Sequence, residues 1–263
     1  MQQELPLVVV EVPRAPEPPP ASTDIRIDIV RSPRRRTLAI HVGARGEVEV
    51  RAPMWIGAGE IAVFIERHRR WIERKVAEAA AAPAWEPRWA EGGDWYWRGE
   101  RVQLVAAPSR RGGLLGGEVH LPVAAGADAG EWQRAVFNWH RREAKTLLAA
   151  RLGELFAQHG GAHRLKAIEF RWMRATWGTC GGRRAADGRR DVVIRLNPWL
   201  AALPPAVADA VLLHELAHIE HMNHGAAFYR RLERLDPQWR EHDRELKHWA
   251  RLLFPVAVAP GGA

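Results

Sequence analysis

Apolar and polar positions alternate between residues 24 and 50: Ile25, Ile27 and Ile29 are separated by Arg26 and Asp28. Leu38 to Val42 and Val48 to Val50 repeat the pattern, with Gly43 and Gly46 as punctuation. A period of two belongs to strands, so three short antiparallel strands are expected here. Ile61, Phe64, Ile65, His68, Trp71 and Ile72 then recur at helical spacing, with Arg67, Arg69 and Arg70 turned mostly to solvent, which predicts one amphipathic helix. His68 is expected to pack or to face solvent rather than to serve as a ligand. Residues 81–93 read as a loop of Ala, Pro and Gly, and Trp95 to Trp97, Val102 to Val105 and Val119 to Leu121 as further short strands.

In the second half the spacing lengthens. A long amphipathic helix is expected from about Glu131 to Gln158, turning Trp132, Val136, Phe137, Leu147, Leu148, Leu152, Leu155 and Phe156 toward a core, with Arg134, His140, Arg141 and Arg142 as a solvated basic face. Strands follow at Lys166 to Trp172 and Val192 to Leu196, bracketing a glycine-bearing loop from Thr176 to Arg190. Pro204 and Pro205 open a helix at about Ala206, Asn223 and Gly225 supply terminating residues, and Phe228 to Leu235 and Gln238 to Phe254 close the chain as two helices. The class is therefore α+β. Its parts are a proline-rich tail over 1–23, a β-rich region with one helix over 24–125, a mainly helical unit over 126–255, and a flexible end over 256–263.

Composition narrows the function classes. With 263 residues and 47% apolar content the chain can bury a sizeable core. One cysteine, Cys180, excludes an internal disulfide framework and a cysteine-rich metal site, and points to a reducing compartment such as the cytoplasm. No secretory leader and no run of about 18 apolar residues is visible, so no membrane association is expected. The formal charge of +8 would favour a polyanion such as nucleic acid at a basic surface, although arginine richness beside abundant alanine also follows from a GC-rich genome. The glycines between Arg110 and Gly117 are followed by no Lys-Ser or Lys-Thr pair and form no phosphate loop.

The chemistry concentrates in His214-Glu215-Leu216-Ala217-His218 and in His224, ten residues beyond the first histidine. Two imidazoles four apart on a helix share a face and can grip one divalent ion, with the intervening glutamate held beside it as a base. A chain of this composition shows His-Glu-x-x-His by accident about 0.05 times, which makes an incidental pair improbable. Catalytic zinc takes three protein ligands. His221, three residues past His218, lies on the same helical face, but three imidazoles in line span about 10 Å at the helical rise, too far to converge on one tetrahedral ion. His224, past the helix end, can swing back. His140, His242 and His248 have no partner at ligand spacing and are expected at the surface, Glu220 as a solvated helix charge and Cys180 as a neutral structural thiol. Trp172 and Trp177 suit a substrate groove or aromatic packing equally.

The stretch Arg171-Trp-Met-Arg-Ala-Thr-Trp-Gly-Thr-Cys180, then Ile194-Arg-Leu-Asn197, Leu200, Pro204, and His214 through Asn223-His224, resembles the YgjP-like metallopeptidase family, relatives of the SprT-like and WLM zinc proteases. Arg31-Ser-Pro-Arg-Arg-Arg36, Gly46 and Trp71-Ile72 are similar to that family's opening region, so the likeness runs from about Ile25 to Leu253. It implies zinc held by His214, His218 and His224, Glu215 as general base, and a zincin-like unit in which a small sheet abuts the metal helix. Thr179 stands where the family usually has serine, and Thr176 where a basic residue usually precedes the tryptophan.

The expected activity is zinc-dependent hydrolysis of a protein or peptide substrate, with strand 166–172 or 192–196 pairing with an extended chain. Two other readings keep a metal. In one, a nucleotide pyrophosphatase uses the same site, though Mg or Mn would prefer oxygen ligands. In the other, a nucleic-acid-binding module uses zinc as a brace, though structural sites are normally closed by four protein ligands.

Overall fold

The computed structural model describes residues 25–256 apart from 34, 44–45, 82–84 and 109–110. The tail expected over 1–23 and nearly all of the end expected over 256–263 lie outside the described residues. Among the described residues, three small sheets and six α-helices make an α+β protein, as the periodicity indicates. No helix among the described residues is long and apolar enough to cross a membrane.

The first sheet holds β1 (Ile27–Ser32), β2 (Ala39–Val42) and β3 (Val48–Pro53) in the order β1-β3-β2. β2 pairs antiparallel with β3, but β1 runs parallel to it, which corrects the expected all-antiparallel arrangement. Alternation specifies which face of a strand is buried and is silent on direction. The expected single helix is two, α1 (Ala58–Arg67) and α2 (Arg69–Ala81). At His68 the ring Nδ1 takes the Phe64 carbonyl at 2.8 Å while the backbone N–H shifts to the Ile65 carbonyl, so one turn tightens and the helix breaks. Val50, Ala52, Ile56 and Ile61 give this region its own small core.

The second sheet, β4 (Asp94–Trp97), β5 (Glu100–Ala106), β6 (Gly113–Leu115) and β7 (Glu118–Leu121), is ordered β4-β5-β7-β6, so the described part of the glycine-rich stretch supplies an edge strand. Against it lies α3 (Ala129–His159), opened by a reciprocal cap in which the Asp128 carboxylate accepts the Glu131 N–H and the Glu131 carboxylate the Asp128 N–H. α3 buries Trp132, Val136, Phe137, Leu148 and Leu152 as its spacing predicts. His140 departs from the expected surface position. It is fully buried, its Nδ1 accepting the Trp95 indole N–H at 2.9 Å and its Nε2 donating to the Pro198 carbonyl at 2.9 Å. Two arginines follow it in sequence, and the packing of α3 against β4 and residues 198–202 reveals that His140 faces inward.

The third sheet carries β8 (Arg164–Phe170), β9 (Gly178–Arg184) and β10 (Arg190–Leu196) in the order β8-β10-β9, with β8 parallel and β9 antiparallel to the central β10. β9 corrects the loop expected over 176–190. Its sequence, Gly-Thr-Cys-Gly-Gly-Arg-Arg, has no apolar alternation, and it is a strand because β10 offers an edge to pair with. At Gly182 a Cβ would stand 2.1 Å from the Asp191 carbonyl oxygen, so only glycine permits that pairing. A 3₁₀ turn over Pro198–Ala202 leads to α4 (Pro205–Ala217), which is buried on nearly every side, then to α5 (Ala226–Leu235) and α6 (Trp239–Leu253). α4 packs on α3, β9, α5 and α6, and so sits at the junction of the unit.

Candidate metal centre

α4 ends at Ala217, with His218 as its cap, earlier than the stop expected at Asn223 and Gly225. Gly225 instead caps the start of α5. The early stop places His214 in the last helical turn and His218 just past it, and residues 219–225 return the chain so that His224 meets both. The ligand-capable atoms of His214, His218 and His224 all lie within 4.8 Å of one another. His214 Nε2 and His224 Nε2 are 3.1 Å apart. Two nitrogens bound to one tetrahedral zinc would stand about 3.3 Å apart, given bonds of about 2.05 Å, so this spacing fits a shared divalent ion.

Orientation is fixed from outside the cluster. His218 Nδ1 lies 3.0 Å from the His221 carbonyl and donates to it, which leaves Nε2 to face the other rings. His221 thus contributes its backbone, and its side chain stays out of the cluster. Phe228, fully buried at the start of α5, packs under all three imidazoles, its ring centre 5.0 Å from that of His214 and 4.6 Å from those of His218 and His224. Burial pushes His214 down to about 4, with the neighbouring imidazoles adding to the effect, and burial likewise lowers His218. Both rings are therefore neutral at ordinary pH, the form that can ligate a metal.

Glu215 points the other way round the helix, toward β9. It is 5% exposed, and burial raises its carboxyl to about 8 against the opposing effect of the Cys180 backbone N–H that it accepts. Its Oε2 has no hydrogen-bond partner. An unpartnered buried carboxyl oxygen is costly unless something polar meets it, and Glu215 lines the same cavity as His214 and His224. Gly178 makes the approach feasible: a Cβ there would stand 2.8 Å from Glu215 Oε1. Cys180 is half-buried and lies outside the imidazole group. Burial first and Glu215 second push its thiol up to about 11, so it is a neutral thiol, as expected from the sequence.

Asn197 ties the preceding loop down. Fully buried, it donates from Nδ2 to the Met173 carbonyl at 2.8 Å and the Thr176 carbonyl at 2.9 Å, while its backbone N–H donates to the Trp177 carbonyl at 2.8 Å. These bonds set the entry to β9 and hence the position of Gly178. Trp177 lines a cavity of about 690 Å³ that also exposes His214, Glu215 and His224, and it packs on Phe254 with ring centres 4.5 Å apart. Trp172 instead packs edge-on against Phe137 and Trp199. Glu220 is in the turn after α4, ion-paired with Arg231 at 3.3 Å, and not on a helix. His242 is not at the open surface but in the cavity wall, bonded to Asp236. Of the two strands considered for substrate pairing, 192–196 is central and has both edges occupied, whereas 166–172, observed as β8, is an edge strand; β9, which was not considered, forms the other edge and is the one lying against α4.

The place of Phe228 under the imidazoles and the Asp236–His242 pair escaped the sequence reading, and Gly178 was quoted in the Arg171–Cys180 stretch without a role. Phe228 lies four residues past His224, and that proximity is the one sequence signal for its place.

A family model described as YgjP-like, metallopeptidase domain, matches residues 36–249, which is more than half of the chain and includes every residue of this centre. No curated protein and no solved structure matches the chain.

Proposed function

The chain belongs to the YgjP-like metallopeptidase family, and from that premise we propose a zinc-dependent peptidase in which His214, His218 and His224 hold the ion and Glu215 is the general base. One observation carries the reading: three imidazoles converge within 4.8 Å at the wall of an open cavity that a buried carboxyl with an unpartnered Oε2 also lines. An all-imidazole donor set suits zinc and disfavours Mg or Mn, which prefer oxygen. Among the described residues the group has three members and no fourth, leaving the open position that distinguishes a catalytic from a structural site.

When bound, zinc supplies a Lewis acid that polarises the scissile carbonyl and acidifies a water. Glu215 accepts the water's proton on Oε2 and passes it to the leaving amine. The free edge of β9 offers backbone groups to an extended peptide, which would lie along the strand that positions Gly178 and Cys180 next to Glu215. Trp177 and Phe254 then form an apolar wall for a substrate side chain.

Glu215→Gln tests the chemistry, because it retains shape and removes the base. Zinc stoichiometry should be unchanged and hydrolysis of casein or an unstructured peptide should fall by about 10²–10⁴-fold. Full activity in that variant, or chelator-sensitive turnover of nucleoside triphosphates with none of peptides, would refute the proposal.

A further inference from the structure

A further histidine faces the cavity of the candidate metal centre without belonging to it. His242 of α6 lines that cavity, and its Nδ1 lies 2.8 Å from Oδ2 of Asp236, the residue that caps α5. Asp236 is itself buried, its side chain 7% exposed, and its Oδ1 accepts the Gln238 backbone N–H at 3.1 Å. The carboxylate is thus held from two sides before it meets the imidazole. A carboxylate only accepts, so Nδ1 carries a proton, and Nε2, which has no hydrogen-bond partner among the described residues, is the ring nitrogen left for the cavity. The other charged groups of the wall are accounted for: Asp243 and Lys247 pair with each other, and Glu215, His214 and His224 belong to the metal centre.

We propose that His242 is a further catalytic residue, and that Asp236 is the positioning residue that orients its ring and balances its charge. In the imidazolium form, Nε2–H donates a hydrogen bond to the scissile carbonyl oxygen as negative charge builds there. The proton stays on nitrogen throughout, so no bond is made or broken at His242. A fixed donor aimed at developing charge stabilises the transition state more than the bound substrate. A carboxylate behind an imidazole is the arrangement that holds such a ring in one tautomer and supports its charged form. Burial of Asp236 is what a merely solvated α5–α6 ion pair would not need. The inference rests on the peptidase reading for its substrate.

The zinc-loaded full chain tests it in two arms. In the first, His242→Ala should lower kcat on a peptide by about 10²–10³-fold with KM changed only a few-fold, and His242→Gln, whose amide nitrogen reaches about as far as Nε2, should recover part of the loss. Asp236→Asn should lower kcat in the same direction by less. In the second, binding of inorganic phosphate, measured by calorimetry, should weaken about 10-fold in His242→Ala and recover in His242→Gln, with zinc stoichiometry constant. An unchanged kcat in a folded His242→Ala, or a rise in KM alone, overturns the role of His242 while leaving the peptidase reading in place. If the wild type cleaves no peptide, it is the peptidase reading that fails. The phosphate arm then still decides on His242, because an unweakened Kd in both variants overturns the donor role and a weakened one supports it.

Discussion

Adding one methyl group at Gly178 should slow the enzyme without touching its metal. A Cβ at this position would stand 2.8 Å from Glu215 Oε1, 3.0 Å from Cγ and 3.1 Å from Cδ. Ordinary contact begins near 3.4 Å, so the carboxylate or the strand must yield by about 0.5 Å in a densely packed setting. Gly178 has no positive φ, so alanine is conformationally acceptable and the whole effect comes through the contact. A displacement of 1 Å in a catalytic group costs about 10²-fold, and half of that should cost about 10-fold in kcat, with KM and zinc stoichiometry unchanged. Gly181→Ala on the same strand is the control, since the nearest atom to its added Cβ is 4.0 Å away. The assay is steady-state peptide hydrolysis by both variants beside a metal analysis. A Gly178→Ala enzyme as fast as the wild type, or an equal loss in Gly181→Ala, would refute the contact argument.

Asn197→Ala should destabilise the fold by about 2–4 kcal/mol in denaturant unfolding, because it strands the Met173 and Thr176 carbonyls at once, and it should lower kcat through loosened entry to β9; a change below about 0.5 kcal/mol would show that water replaces the amide. The metal-free fold should lose stability on acidification through His140. Burial holds it down to about 4 from an ordinary 6.5, so the unfolded chain takes up the proton first, and about 3 kcal/mol disappears as pH falls from 6.5 to 4. His140→Gln should flatten that part of the pH–stability curve, and a curve of unaltered slope would count against it. Zinc at 100 times its Kd should raise stability by about 2.7 kcal/mol, seen as a higher Tm that a chelator reverses. His224→Ala should abolish the increase, and its persistence would place the ion elsewhere.

The chain announces its candidate metal-binding pair because helical spacing alone puts His214 and His218 on one face. It cannot announce Gly178 or Phe228 in the same way, since one matters through what its missing side chain allows and the other through a ring that the turn between α4 and α5 folds back under three imidazoles. The same division runs through the fold. The buried stripe of α3 follows from its periodicity, whereas β9 has no strand pattern and exists because β10 pairs with it. His68 looked like one more position in a continuous helix until its ring took the carbonyl of Phe64.

The sequence by itself determined the class, the long helices and the histidine pair with its glutamate, all properties of residues near one another along the chain. The tertiary structure decided which carbonyl steers His218, that Glu215 is buried against a glycine of an edge strand, that His140 is a core residue, and that Asp236 and His242 share a cavity with the imidazoles. Local spacing fixes which face of an element a residue occupies. What that face meets depends on contacts between segments far apart in the chain, and burial, proton affinity and unpartnered atoms arise only there.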